Sequence, residues 1–137
     1  MNDTECIFCK IARGELPAEK VYEDADTVAF LDIKPVNPGH TLIIPKAHYV
    51  NIFEAPEETL AKMMHTIKVV SHGIKDGLGI DNMNIGMNNG ADSGQVVFHA
   101  HIHLMPRHKD DGYGLWHGKP YEPGQAHEVA EKIKKAL

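Results

Sequence analysis

Gln95-Val-Val-Phe-His-Ala-His-Ile-His-Leu-Met-Pro106 is the stretch that decides how the chain is read. Within it His99, His101 and His103 alternate with Ala100, Ile102 and Leu104. Residues two apart in a strand point to the same side. The alternation therefore predicts a strand over 96–105, stopped by Pro106, with imidazoles on one face and apolar side chains in the core on the other. Thr or Lys would serve a merely solvated face, so three imidazoles in register point to chemistry. A pure metal site is the competing reading, but the Leu-Met-Pro-Arg that follows adds no carboxylate or thiolate. An imidazole with an unperturbed pKa of about 6.5 is largely neutral near pH 7 and suits attack on phosphorus. The adduct is labile to water, so one hard displacement becomes two easier ones. His101, with a partner imidazole on each side, is the natural nucleophile.

Upstream, residues 88–95 form a loop whose Gly90 and Gly94 let backbone amides approach an anion closely. Asn88 and Gln95 add side-chain amides, and a phosphorane-like transition state needs donors of this kind. Asn82 to Met87 reads as a fourth strand. The clearest helix covers 57–78, where Leu60, Met63, Met64, Ile67, Val70, Ile74 and Leu78 repeat at helical spacing, with Pro56 before it and Gly79 after. Earlier still, 5–13 reads as a short helical turn. Lys20–Glu23 and Thr27–Ile33 read as strands joined by an Asp24-Ala25-Asp26 turn, and Thr41–Ile44 as a third strand beyond a Pro- and Gly-containing loop. A last helix is expected over about 126–136, with Val129, Ala130 and Ile133 on one side. The fold class is α+β: an antiparallel sheet of about five strands, with a long helix, a shorter C-terminal helix and the helices on one face.

A chain of 137 residues fits one domain, 1–137, and 42% hydrophobic with 24% charged residues is ordinary for a soluble globular protein. The net charge of −5 shows no basic stripe, which argues against long nucleic acid as a partner but not against a single small nucleotide. Met1 to Glu5 has no basic region followed by an apolar core, and Leu42-Ile43-Ile44 is too short to span a bilayer. The expected compartment is the cytoplasm, with no membrane partner. The two cysteines, Cys6 and Cys9, are spaced C-x-x-C. In a reducing compartment that spacing is more often a metal or redox element than a disulfide.

Residues 95–105 resemble the signature of the histidine triad (HIT) family, in which three histidines alternate with apolar residues. The resemblance extends in order through Phe8-Cys-Lys-Ile11, Tyr22-Glu-Asp24, Ala29-Phe-Leu-Asp-Ile33, Pro38-Gly-His-Thr-Leu-Ile-Ile-Pro-Lys-Ala-His48 and Asn88 onward. It covers a core of about 6–107 and leaves a tail over 108–137. It implies a HIT-like fold, a homodimer, and hydrolysis or transfer at the α-phosphorus of a purine nucleotide. The substrates implied are nucleoside phosphoramidates, adenylylated conjugates or dinucleoside polyphosphates. By resemblance, His101 becomes nucleotidylated and His103 hydrogen-bonds the phosphate or leaving group. Asn88, Gly94, Gln95 and Val97 contact phosphate, Asp32 binds ribose hydroxyls, and Ile7, Phe8, Phe30, Ile33 and Leu42 wall the base pocket. Taken alone, these apolar positions read equally well as core, and Asp32 as a turn residue. Val96 departs from the serine common in the phosphoramidase branch, and Pro106-Arg107 resembles instead the fragile histidine triad branch and bacterial relatives.

Cys6 and Cys9 can hold two corners of a tetrahedral zinc, and no second C-x-x-C supplies the others. Some bacterial members of the family that this chain resembles carry structural zinc on two cysteines and two histidines. The resemblance therefore implies Cys6, Cys9, His48 and His99 as ligands. Buried cysteines without metal and a redox pair are the alternatives. His40, His65, His72, His108, His117 and His127 belong to no constellation and read as surface or structural. A nucleotide-binding scaffold with little turnover, a nucleotidyltransferase and a zinc-ribbon-like nucleic-acid module remain as other functional classes.

Overall fold

The computed structural model describes residues 4–137; Met1 to Asp3, part of the segment read above for a leader, lie outside it. Its elements in order are α1 (Ile7–Ala12), β1 (Lys20–Glu23), β2 (Thr27–Leu31), β3 (Thr41–Pro45), α2 (Glu57–Leu78), β4 (Met83–Gly86), β5 (Ile102–Pro106) and α3 (Gln125–Ala136), with a single 3-10 turn at Ala91–Ser93 before β5. The strands form one antiparallel sheet in the order β1-β2-β3-β5-β4. The β1–β2 hairpin closes as expected. Asp24 Oδ1 accepts from the Asp26 and Thr27 amides at 2.9 and 2.8 Å, an aspartate-capped turn.

Helix α2 covers the predicted 57–78. Its C-cap, Gly79, takes the left-handed conformation at φ 67° and returns its N–H to Lys75 O. Met63, Ile67, Val70 and Ile74 pack against Ala29, Ile43 and Leu104 from the sheet. Each such side chain, fully buried, contributes on the order of 1.5–3 kcal/mol. The other face of the same strands is also covered. Val28, Phe30, Leu42 and Ile44 pack with Cys6, Phe8 and Cys9 of the α1 segment. The expectation of helices on one face is thus corrected. β2 and β3 are buried on both sides, and the apolar N-terminal turn closes the second side.

The fifth strand is shorter than the alternation predicts. β5 pairs with β3 only as far as Ile43↔Ile102, and residues 96–101 leave the ladder. Pro45 has no N–H to extend the ladder. The segment is held instead by single bonds: Ala100 N–H to Tyr49 O at 2.7 Å, and the His99 ring to Pro45 O at 2.8 Å. No helix among the described residues is long and apolar enough to cross a membrane.

Candidate functional site

The break before β5 splits the three histidines into two groups. His101 and His103 stay adjacent, with ring centroids 5.1 Å apart. His99 turns toward the cysteines, and Phe8 contacts both sides of the split, with centroids 6.0 Å from His99 and 5.1 Å from His101. The picture of His101 with an imidazole on either side is corrected accordingly. His99 serves His101 through its backbone: His101 Nδ1 lies 2.7 Å from His99 O. A carbonyl only accepts, so Nδ1 carries the proton and Nε2 carries the lone pair. Burial lowers the His101 pKa, against the raising effects of the His99 carbonyl and Asp32. The ring is therefore neutral, with one tautomer imposed.

A residue set aside in the sequence reading completes the group. His40 is buried, and its Nδ1 accepts the Val36 N–H at 3.0 Å. Burial lowers its pKa, so the ring is neutral and its proton sits on Nε2. Nε2 lies 2.9 Å from His103 Nδ1, which must then accept. Burial, and then the charges His101 and His40 would carry, push His103 down to about 4 against the pull of Asp32. A neutral His103 with Nδ1 occupied holds its proton on Nε2. The relay from Val36 through His40 thus makes His103 a donor beside His101, whose Nε2 is bare. Asp32, His40 and His103 also have metal-binding spacing. A proton on His40 Nε2 opposes that use, because the metal would need the same lone pair.

The loop before the kink is stapled by Gln95. Its Oε1 accepts the Gly90 N–H at 2.8 Å, and its Nε2 donates to Val50 O at 2.6 Å and Val97 O at 3.2 Å. The amide expected to meet phosphate is thus engaged in shaping the loop. Asn88 lies against Gly94, where an added Cβ would stand 3.4 Å from Asn88 Nδ2. Gly94 itself sits at φ 99°, a region that favours glycine. Of the expected base-pocket residues, Phe8, Phe30 and Leu42 are buried in the second core with Val97 packed beside them, whereas Ile7 and Ile33 are exposed at 47% and 94%. Asp32 acts as a turn residue, its Oδ1 accepting the Lys34 N–H at 2.8 Å, while its Oδ2 lies 3.6 Å from His40 Nε2. An apolar cavity of about 520 Å³ lies on the α2 side of the sheet, away from the imidazoles, lined by Tyr22, Leu31, Val70, Ile74 and Leu78 among others.

Cys6, Cys9, His48 and His99 converge, with their ligand atoms all within 4.8 Å of one another. His99 Nδ1 is 3.4 Å from each sulfur and 3.2 Å from His48 Nδ1, and His48 Nδ1 is 3.3 Å from Cys9 Sγ. Zinc bonds of about 2.0 Å to nitrogen and about 2.3 Å to sulfur give tetrahedral edges of about 3.3 to 3.8 Å. The donor set fits. His99 Nε2–H is committed to Pro45 O, so its Nδ1 lone pair faces the cluster, as an oriented metal ligand requires.

The HIT domain family matches residues 13–110. Protein hit of Bacillus subtilis (strain 168) is 42% identical over 136 residues, covering 96% of this chain and 94% of its own length. The chain belongs to the HIT family. The adenosine 5'-monophosphoramidase hnt1 of Schizosaccharomyces pombe is 37% identical and covers 96% of this chain and 98% of its own. Among solved structures, a zinc-bound histidine triad family protein from Mycobacterium smegmatis superposes with a TM-score of 0.78 at 33% identity, covering 99% of this chain and 100% of that one.

In this HIT protein the expected catalytic pair and the expected cysteine and histidine ligands each come together, in two neighbouring clusters joined by the His99 backbone. His40 and Val36 were missed. His40 is 63 residues from its ring partner, and the only local signal was its place in the Pro38-Gly-His40 segment. His65, His72, His108, His117 and His127 are exposed, as expected.

Proposed function

We propose that this protein is a nucleotide hydrolase acting at the α-phosphorus of purine nucleoside phosphoramidates, adenylylated conjugates or dinucleoside polyphosphates. The observation that carries the reading is the imposed tautomer of His101, which leaves Nε2 as an unprotonated nucleophile at neutral pH. Nε2 attacks phosphorus and forms a P–N bond. The bond to the leaving group breaks, and that group departs with the electron pair and takes a proton from solvent. Water then attacks the nucleotidyl-histidine, a P–O bond forms, the P–N bond returns its pair to Nε2, and the water's proton passes to solvent. The product is a nucleoside monophosphate. His103 Nε2–H donates to the phosphate or leaving-group oxygen as charge builds there. Asn88, Gly94 and Val97 line the phosphate end, with Gln95 holding the loop in shape. Asp32 faces the ribose, with Ile7, Phe8, Phe30, Ile33 and Leu42 around the base. The family membership and a relative named as an adenosine 5'-monophosphoramidase support this substrate class.

Cys6, Cys9, His48 and His99 would hold a structural zinc, which supplies no chemistry to the reaction and ties the N-terminal turn to the sheet. Such sites contribute on the order of 10 kcal/mol to folding. A homodimer in the cytoplasm completes the reading; Ile85 on edge strand β4 and Met64 on α2 are exposed apolar side chains suited to an interface.

The test is His101→Ala with an adenosine phosphoramidate and a diadenosine polyphosphate compared as substrates. Turnover of both should vanish while AMP binding persists, and the preferred substrate of the parent protein identifies the leaving group. Turnover retained by the variant refutes the mechanism. A parent protein that binds AMP and turns over neither substrate is a nucleotide-binding scaffold.

A further inference from the structure

Residues 107–113, just beyond β5, hold a carboxylate that the proposed chemistry leaves without a role. Asp111 is nearly enclosed, its side chain 5% exposed. Its Oδ2 accepts from Arg107 Nε at 2.8 Å, Asn37 Nδ2 at 3.0 Å and the His108 N–H at 3.1 Å. Its Oδ1 accepts from Arg107 Nη2 at 3.0 Å and the Tyr113 N–H at 3.1 Å. Arg107, foremost among these donors, holds the carboxyl far below the usual carboxylate range. The Arg107 guanidinium is fixed in turn on Asn84 Oδ1 at 2.7 Å and Tyr113 O at 2.8 Å.

The residue that this cluster grips is Asn37. Its Nδ2 donates to Asp111 and also to Pro106 O at 2.9 Å, while its own backbone carbonyl accepts the His40 N–H at 3.0 Å. Asn37 follows Val36 directly, and the Val36 N–H is the donor to His40 Nδ1. We propose that the Arg107–Asp111–Asn37 latch is a positioning device for the histidine relay: by clamping the 34–39 loop to the end of β5 it keeps the Val36 N–H on His40 and so decides which nitrogen of His40 and of His103 is protonated. The inference rests on the reading that His103 donates at the phosphate.

The physical case is one of competing tautomers. A loop on the surface, containing Pro35, Pro38 and Gly39, has no ladder of its own to hold one N–H within hydrogen-bond reach of a ring. Asn37 supplies two of its anchors. Close packing at Gly39 supplies another, since a Cβ there would lie 2.6 Å from Leu78 Cδ1 and 3.3 Å from Pro106 Cγ. With the Val36 N–H withdrawn, His40 can place its proton on Nδ1. His40 Nε2 would then present a lone pair to His103 Nδ1, and His103 would move its own proton to Nδ1 to meet it. His103 Nε2 would become an acceptor, the wrong polarity beside an oxyanion. The charged and titratable groups facing His103 are His40, His101 and Asp32. Neither Asp111 nor Arg107 is among them, so the latch acts through the loop and not through its field.

The experiment uses the full chain with 15N-labelled histidine. Long-range proton–nitrogen correlation reads the tautomers of His40 and His103, and steady-state kinetics on an adenosine phosphoramidate read kcat and KM separately. Parent protein should show Nε2–H on both rings. Asn37→Ala should show mixed or Nδ1–H tautomers, with kcat down about tenfold or more and KM changed far less. Asp111→Asn keeps the side-chain shape and should move both readouts the same way by less. It decides the matter if Asn37→Ala does not fold. Folded variants that retain the parent tautomers overturn the proposal, even if turnover falls. A parent protein inactive on nucleotides defeats the proposed function alone, because the tautomer measurement still judges the latch.

Discussion

Acidification should destabilise this protein in part through His103. The ring is neutral in the folded state, pushed down to about 4, while in the unfolded chain it titrates at the ordinary value near 6.5. Below about pH 6.5 the unfolded state binds the extra proton, so stability falls as pH falls. The loss stops near pH 4, where the folded ring also protonates. Each tenfold rise in proton concentration across that interval removes at most about 1.4 kcal/mol. The ring is only partly buried, so solvent screening reduces the whole contribution to about 1–2 kcal/mol. His40 and His101, both lowered by burial, act with the same sign. Other groups contribute to the acid response of the whole chain, so the measurement must be a difference. Urea unfolding of the parent protein and of His103→Asn, which keeps an acceptor for His40, should be followed between about pH 7.5 and 4.5. The parent should lose about 1–2 kcal/mol more than the variant over the acid half of that range. Parallel stability curves would refute the reasoning, since His103 would then titrate alike in both states.

Cys9→Ser should lower bound zinc from about one per chain toward none and reduce the melting temperature, as read by metal analysis and calorimetry. A parent protein with no zinc, whose thiols titrate freely while folded, would remove the metal site. Gln95→Ala strips three bonds from the 88–97 loop and leaves the Gly90 N–H and Val50 O to find new partners, at about 1–3 kcal/mol of stability. Its kcat/KM should fall while the His103 tautomer is unchanged; unaltered kinetics would show that the loop does not need this staple.

Local chemistry wrote much of the fold into the chain. Helix α2 could be read to its ends because apolar spacing, Pro56 and Gly79 are all local signals. The β1–β2 turn was legible for the same reason, since Asp24 bonds to residues two and three positions away. The overlong fifth strand shows where local reading fails. His99 to Leu104 alternates without a flaw, and the ladder stops because Pro45, distant in sequence, has no N–H to offer. Likewise the base-pocket residues carry only an apolar label in sequence, and packing alone separates buried Phe8, Phe30 and Leu42 from exposed Ile7 and Ile33.

From its residues alone the chain declared its element order, its α+β class, three alternating imidazoles and a thiol pair spaced to share a metal. Those are properties of residue type and spacing, and they survive without coordinates. Tertiary structure decided which ring nitrogen holds each proton, because that depends on single bonds from distant backbone: His99 O for His101, the Val36 N–H for His40, and through it His103. It also divided the three histidines between two clusters and bonded Asp111 of the tail to Asn37, the neighbour of Val36. A hydrogen-bond partner brought in by folding has no signature in the order of residues, because only the closing of the chain makes the two ends neighbours.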